Sequence, residues 1–139
     1  MKRLLLSNAG YEVTLFRIMI GIIFAAHGAQ KLFGLFGGYG IEGTAGFMES
    51  IGLTPGYLMA FLAGAGEFFG GLFLIAGFLT RFAALTTAII SIVAMITVHI
   101  NNGFFMSNNG FEFILLLLVS SISFIISGSG KFGIDKIIK

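Results

Sequence analysis

The sequence predicts an all-α protein, a transmembrane four-helix bundle that forms one integral membrane domain over residues 1–139. Three observations lead to this fold class: 57% of the residues are hydrophobic, only 10% are charged, and the apolar residues cluster in four long runs. A soluble domain usually has about a quarter of its residues charged, and a fold of this size cannot bury so much apolar surface. The composition therefore excludes a cytosolic globular enzyme, a disordered tail and a disulfide scaffold.

The four apolar runs are each about as long as a helix that crosses the hydrocarbon core, which takes about 20 residues. They predict spans at about 13–36, 57–79, 82–100 and 111–127. Thr80 and Arg81 are left as a tight turn between the second and third spans. The glycine-rich connection 37–56 is expected to hold a short helix at the membrane surface, capped by Thr44.

The positive charges predict the orientation of the bundle. They concentrate before the first span, in the second turn and after the last span, at Lys2, Arg3, Arg81, Lys131, Lys136 and Lys139. The other two loops contain Glu42, Glu49 and Glu112, with Lys31 near one edge. By the positive-inside rule we expect both termini to be cytoplasmic, in a multi-pass protein of the cell membrane.

Several polar residues lie where lipid should be. Arg17, His27 and Glu67 fall well inside spans, and His99 and Glu112 lie at span ends on the outer side. A charged side chain at a helix centre costs roughly 2.5–3.5 kcal/mol on insertion scales, so such residues usually face the bundle interior and mark function. Glycines surround Glu67, which predicts that it points into a close helix contact.

We expect one polar pocket in the outer half of the bundle, formed by His27, Lys31, Glu67, His99, Asn102 and Glu112. Glu67 is the expected proton acceptor and His27 its hydrogen-bonding partner, and these two are the catalytic candidates. His99 and Glu112 would form the mouth, and Lys31 would supply positive potential. Arg17 is expected to form a structural ion pair with Glu67. The alternative is purely structural: buried polar pairs can fix helix register, and Arg17 can extend to the headgroups.

The chemistry of such a pocket leaves several ligands open. Donors at both ends of an apolar site suit a quinone head group, and imidazoles that exchange protons near neutral pH suit a proton or small-solute path equally well. A haem between His27 and His99 is disfavoured, because the two lie at different depths. No cofactor is evident in the sequence, no metal site is expected, and the charge pattern does not indicate nucleic-acid binding. The absence of cysteine excludes a thiol relay or a cysteine-ligated cluster.

The order and spacing of several short motifs resemble the DoxX family of small four-span membrane proteins. The motifs are RIMIG at 17–21, HGAQKL at 27–32, GE at 66–67, GFLTRFAA at 77–84, HINNGFF at 99–105, GFE at 110–112 and GSGKFGID at 128–135. The similarity covers nearly the whole chain. One departure is Gly133, where the family pattern has a hydroxyl residue.

The resemblance implies a link to quinone redox chemistry, in which members serve as a membrane subunit of a quinone oxidoreductase or in resistance to oxidative stress. The leading hypothesis is thus a quinone-associated oxidoreductase or a subunit of a redox complex. The ligand would be a quinone or another small hydrophobic molecule, and the partner a redox subunit or further copies of the chain. The alternatives are a small-solute or proton-coupled transporter and a non-catalytic assembly subunit.

Overall fold

The computed structural model describes residues 10–138, and within them the chain is helical with no strand. Its helices are α1 (Tyr11–Phe33), α2 (Gly40–Ser50), α3 (Gly56–Ala76), α4 (Thr80–Ala94), α5 (Glu112–Ser127) and the short α6 (Ile134–Ile137). A π-helical turn, Met95–His99, and a 3-10 turn, Ile100–Asn102, extend α4. Two further 3-10 turns, Leu35–Gly37 and Met106–Asn108, lie in the connections.

Three of these helices are long and apolar enough to cross a membrane: Tyr11–Phe33, Gly56–Ala76 and the continuous Thr80–Asn102. The fourth, α5, is apolar but has 16 residues, which at ~1.5 Å each gives roughly 24 Å, short of a typical hydrocarbon core. The all-helical membrane fold is therefore confirmed, with three clear spans and a shorter fourth helix.

Two predicted helix boundaries are wrong, and both are displaced by a glycine. α1 ends at Phe33 rather than at residue 36, because Gly34 takes a left-handed conformation (φ 68°) that stops the helix. α3 likewise ends at Ala76, three residues early, at left-handed Gly77 (φ 66°). The turn between the second and third spans is therefore residues 77–79, and both Thr80 and Arg81 lie in α4 instead of forming the turn.

The predicted short helix in the first long connection is present as α2, which packs on α3. Its start is different from the expectation, since the helix begins at Gly40 and Thr44 lies inside it, buried. The Thr44 hydroxyl donates to the backbone oxygen of Lys31, at 3.4 Å, and so ties α2 to α1. The position of α2 at the membrane surface and the cytoplasmic orientation of the termini stay predictions. Lys2, Arg3 and Lys139 lie outside the described residues.

Glycines let α1 and α3 pack with their backbones in contact, as the sequence predicts. A Cβ on Gly21 would lie 2.7 Å from the backbone oxygen of Gly71, and one on Gly28 would lie 2.7 Å from that of Gly64. Neither position has room for a methyl group. This contact is the most extensive between any two helices in the described part of the chain, and it sets the relative register of α1 and α3.

Small hydroxyl side chains are buried beside the apolar core at the contact of α4 with α5. Thr87, Ser91, Ser120 and Ser121 are almost fully buried there, and the Thr87 and Ser121 hydroxyls share a hydrogen bond of 2.9 Å. Large apolar side chains cover the outer faces of these helices, with Ile89 and Val119 more than half exposed. Small polar contacts inside and apolar side chains outside are typical of helices that pack within lipid.

The α1–α3 contact can be tested with one methyl group. Gly28→Ala would place a Cβ against the backbone of Phe68 and Gly64, atoms that cannot move aside, so we expect a loss of about 1–3 kcal/mol in the free energy of unfolding. The measurement is equilibrium unfolding in mixed micelles. Gly46→Ala is the matched control, because Gly46 is exposed within helix α2 and an added methyl group would meet no atom within 4 Å. It should be neutral or stabilising, and equal losses for the two variants would contradict the close contact.

Candidate functional site

A polar pocket lies at the end of the bundle that carries the connection between α4 and α5, which we call the loop end. It is a half-open cavity of about 270 Å³. All four long helical segments and this connection contribute to its lining, through Phe24, His27, Lys31, Glu67, Ala94, His99, Met106, Asn109, Gly110, Phe113, Ile114 and Leu117. The structure thus brings four of the predicted site residues to one cavity: His27, Lys31, Glu67 and His99.

An ion pair between α1 and α3 forms one wall of the polar pocket. The Lys31 ammonium donates to Oε2 of Glu67 at 2.6 Å, and the Glu67 side chain is only 10% exposed. Ammonium groups have three donor hydrogens and carboxylates have two acceptor oxygens. Each partner therefore keeps hydrogen-bonding capacity beyond this contact, at the point where both line the cavity.

His99 reaches the polar pocket from the π-helical turn that follows α4. Its Nδ1 donates to the backbone oxygen of Asn109 at 3.0 Å, because a carbonyl can only accept. In a neutral ring this contact leaves Nε2 as an acceptor. Asn102 donates to the same oxygen at 3.1 Å and to the backbone oxygen of Val98 at 2.9 Å. π-helical turns within α-helices recur at functional sites, and this one holds His99 against the connection.

His27 lies on α1, one helical turn before Lys31. Its ring packs against Phe113 of α5, with the ring centroids 6.2 Å apart and the planes inclined at 42°. Within residues 10–138 its nitrogens have no hydrogen-bond partner. A neutral imidazole offers one donor and one acceptor, so His27 brings a second donor to the pocket beside the Lys31 ammonium.

Two predicted site residues do not line the polar pocket. Glu112 begins α5 and is partly buried, but it is absent from the cavity wall. Asn102 is exposed and acts on the site only through the carbonyl of Asn109. Conversely, sequence reasoning missed Asn109 and Phe113. Only the folded connection brings the backbone of Asn109 and the ring of Phe113 to the cavity. The described residues contain no group of three metal-ligating side chains.

Arg17 does not pair with Glu67, and the expected ion pair is wrong. The residue is 1% exposed, and its guanidinium donates to backbone oxygens at the opposite end of the bundle. Nε donates to Ser129 at 3.0 Å, Nη2 donates to Phe132 at 2.7 Å, and Nη1 donates to Leu74 and Ile75. Arg17 reaches this end because α3 ends at Ala76, so the carbonyls of its last turn lack the N–H groups that a continuing helix would supply and can accept from a planar, five-donor side chain.

The segment after α5 is held by a second contact that sequence reasoning missed. The Asp135 carboxylate accepts from the backbone N–H groups of Leu79 and Thr80, at 2.8 and 2.9 Å, and so caps the start of α4. The Asp135 N–H donates in return to the backbone oxygen of Gly77 at 2.9 Å. With the Arg17 contacts, this forms a clasp between the C-terminal segment 129–135 and residues 77–80, the turn and the first residue of α4. In the sequence, Asp135 stands out only as the last residue of a family motif.

Comparison with known proteins decides the family. The DoxX family model matches residues 13–100, well over half of the chain. The chain belongs to the DoxX family. None of the solved structures matches it. The polar pocket draws on both the part of the chain that the DoxX model matches and the part that follows it, since Asn109 and Phe113 lie beyond residue 100.

Three DoxX relatives are similar to the chain. It is 36% identical over 130 residues to the Bacillus subtilis protein named "Putative oxidoreductase CatD", covering 92% of this chain and 89% of that protein. It is 33% identical to the Escherichia coli "Inner membrane protein YqjF" over 124 residues, 88% of each. An uncharacterized Haemophilus influenzae protein is 38% identical over 66 residues, 48% of this chain and 44% of that one. Membership of the DoxX family and the apolar helices together make the chain a multi-pass membrane protein.

A double-mutant cycle measures the Lys31–Glu67 pair. Lys31→Met and Glu67→Gln each leave one partner in an apolar setting without its counterion, so the two single losses should together exceed the loss in the double variant. We expect a coupling of about 1–3 kcal/mol in the free energy of unfolding in micelles. Pairing Glu67→Gln with Lys136→Met, at an exposed position of the distant C-terminal segment, is the control and should be additive. A coupling indistinguishable from that control would show that the pair does not hold α1 to α3.

Substitution of Arg17 tests the clasp. Arg17→Lys keeps the charge but removes the planar set of donors that reaches Ser129, Phe132 and the end of α3. We expect hydrogen exchange at the amides of residues 132 and 135 to become at least about tenfold faster, since several hydrogen bonds are lost together. Arg81→Lys, at an exposed position on α4, is the matched control. Unchanged protection in Arg17→Lys would mean that Arg17 does not hold the C-terminal segment.

Proposed function

We propose that this DoxX protein binds the head group of a quinone in the polar pocket and takes part in a quinone-linked redox system of the cell membrane. One observation carries the proposal: an ion pair and two imidazoles, from three different helical segments, line one cavity inside a membrane protein. Such groups are costly in lipid and usually serve a ligand or a proton path. The oxidoreductase name of the Bacillus subtilis relative agrees with this proposal.

The size of the polar pocket favours a single-ring ligand. About 270 Å³ is slightly below the ~300–1,000 Å³ of pockets for drug-sized molecules. Phe24, Phe113 and Leu117 supply apolar surface for the faces of a ring. The polar groups supply contacts at its edge, so that the pocket can orient a flat molecule with polar atoms on its rim.

The donors and acceptors of the pocket fit both oxidation states of such a ring. The Lys31 ammonium and the His27 N–H can donate to the two carbonyl oxygens of a quinone. The free carboxylate oxygen of Glu67 and Nε2 of His99 can accept from the two hydroxyls of a quinol. A set that offered only donors would bind the oxidised ring and leave the hydroxyls of the reduced ring without acceptors.

When bound, a quinone supplies a site for two electrons and two protons, which together give the quinol. In this proposal Glu67 and His27 pass the protons between the ring oxygens and the loop end of the bundle. The electrons come from a separate reductase, a partner protein or subunit that transfers two electrons per ring. Lys31 keeps the ionised form of Glu67 paired while the carboxylate is without its proton.

The proposal also assigns a side of the membrane. With Arg81 at the start of α4 and the lysines of the C-terminal segment on the cytoplasmic side, the polar pocket opens toward the outer surface. Protons would then be exchanged on that side.

A cysteine introduced in the connection between α4 and α5 should react with a membrane-impermeant maleimide in whole cells, whereas one next to Lys136 should react only after lysis.

The test is binding of a tail-free ubiquinone ring to the purified full-length protein, followed by quenching of intrinsic tyrosine fluorescence or by calorimetry. Glu67→Gln removes a charged partner and should weaken binding of the reduced ring at least about tenfold. His27→Phe keeps an aromatic ring and the Lys31–Glu67 pair but removes the donor, and should weaken binding of the oxidised ring severalfold.

Glu112→Gln is the matched control for Glu67→Gln, because Glu112 lies at the same end of the bundle but outside the cavity wall. Its affinity should equal that of the unaltered protein. Absence of ring binding by the unaltered protein, or equal affinities in Glu67→Gln, His27→Phe and Glu112→Gln, would overturn the proposed function.

A further inference from the structure

A second cavity adjoins the polar pocket, and it is apolar. It has a volume of about 380 Å³ and lies among α2, α3 and the segment from α4 through its π-helical turn. We call it the apolar groove. Most of its lining is aliphatic: Met48 and Ile51 come from α2 and the residue after it, Leu62 from α3, and Ile89 and Val93 from α4.

The apolar groove and the polar pocket share part of their walls. Lys31, Glu67, Ala94 and His99 line both. Every one of the shared residues except Ala94 is polar, so the two cavities meet at the Lys31–Glu67 ion pair. On the α4 side the shared wall is the small side chain of Ala94. A ligand with one polar and one apolar end would place the polar end in the polar pocket and the apolar end in the apolar groove.

The apolar groove opens on the outer surface of the bundle, between α3 and α4. Leu62 is 53% exposed and Val93 is 42% exposed, and they stand on neighbouring helices along its edge. In a membrane protein this surface faces lipid. An apolar chain that leaves the polar pocket through the groove would pass between α3 and α4 and end in the bilayer.

We propose that the ligand has an isoprenoid or alkyl tail, which leaves the polar pocket through the apolar groove into the bilayer. This inference rests on the proposed function and narrows it to lipid-soluble quinones that enter from the membrane. A tail-free ring can reach the polar pocket from the loop end, whereas a tailed ring must place its chain between α3 and α4. The groove thus decides which quinones the protein accepts.

The physical basis of this selectivity is steric. Lipid is as apolar as the groove, so a tail gains little hydrophobic free energy when it moves from one to the other. A blocked groove, in contrast, forces the tail against packed side chains, and overpacking is costly. Filling the groove should therefore reduce the affinity for a tailed ring and leave that for the tail-free ring unchanged.

The experiment fills the apolar groove with one side chain. Val93→Trp places an indole in it, and Ile92→Trp is the matched control, because Ile92 is 40% exposed on the same helix and lines neither cavity. Two probes are compared in lipid nanodiscs with the full-length protein: the ubiquinone ring without a tail and the same ring with a decyl tail. Their dissociation constants are expressed per mole of lipid, so that partitioning of the tailed probe is taken into account.

We expect Val93→Trp to bind the decyl ring about tenfold more weakly than the unaltered protein and the tail-free ring equally well. Ile92→Trp should bind both as the unaltered protein does. A ratio of the two dissociation constants that is the same in both variants overturns the inference, even if the rings bind. Failure of the unaltered protein to bind either ring overturns the proposed function instead. Leu62→Trp, compared with Leu58→Trp, repeats the test from α3, should Val93→Trp fail to fold.

Discussion

The backbones of α1 and α3 touch, and the positions of the other helices and of the polar groups follow from that contact. Gly21 and Gly28 lie against Gly71 and Gly64 with no room for a side chain between the backbones. Van der Waals packing between the two backbones holds the helices together, because the hydrophobic effect does not drive helices together inside lipid. It also determines the position of Lys31, three residues beyond Gly28, so that its ammonium reaches a carboxylate on α3.

The same contact explains why two charges are tolerated at the loop end. Lys31 and Glu67 lie on adjoining helices and pair directly at 2.6 Å, so each charge has its counterion beside it. Removal of one partner from such a pair is costly, whereas the pair itself adds little net stability. The presence of this pair in a chain with so few charges is consistent with the ligand-binding role proposed for it.

The two ends of the bundle accommodate buried charged side chains in different ways. At the loop end, polar side chains face a cavity and keep free donors and acceptors. At the other end, the Arg17 guanidinium donates to four backbone oxygens, and the Asp135 carboxylate accepts from two backbone N–H groups. A buried charge that has no remaining capacity is structural, and one that retains capacity beside a cavity is a candidate for function. This distinction separates Arg17 from Glu67, although both lie deep in spans.

The membrane fold, the family and the identity of the unusual polar residues could all be predicted from the chain, because composition, apolar run length and motif order are local properties. The glycines near Glu67 likewise indicated a close contact. Which polar groups meet could not be predicted. The sequence predicted that Arg17 and Glu67 pair with each other. In the structure, the register of α1 against α3 places Lys31 beside Glu67, and the end of α3 before Gly77 presents backbone carbonyls to Arg17. The cavity wall depends on a folded connection and on a π-helical turn, and the apolar groove depends on where α2 packs. No spacing along the chain encodes these contacts, since each arises from the packing of residues far apart in sequence.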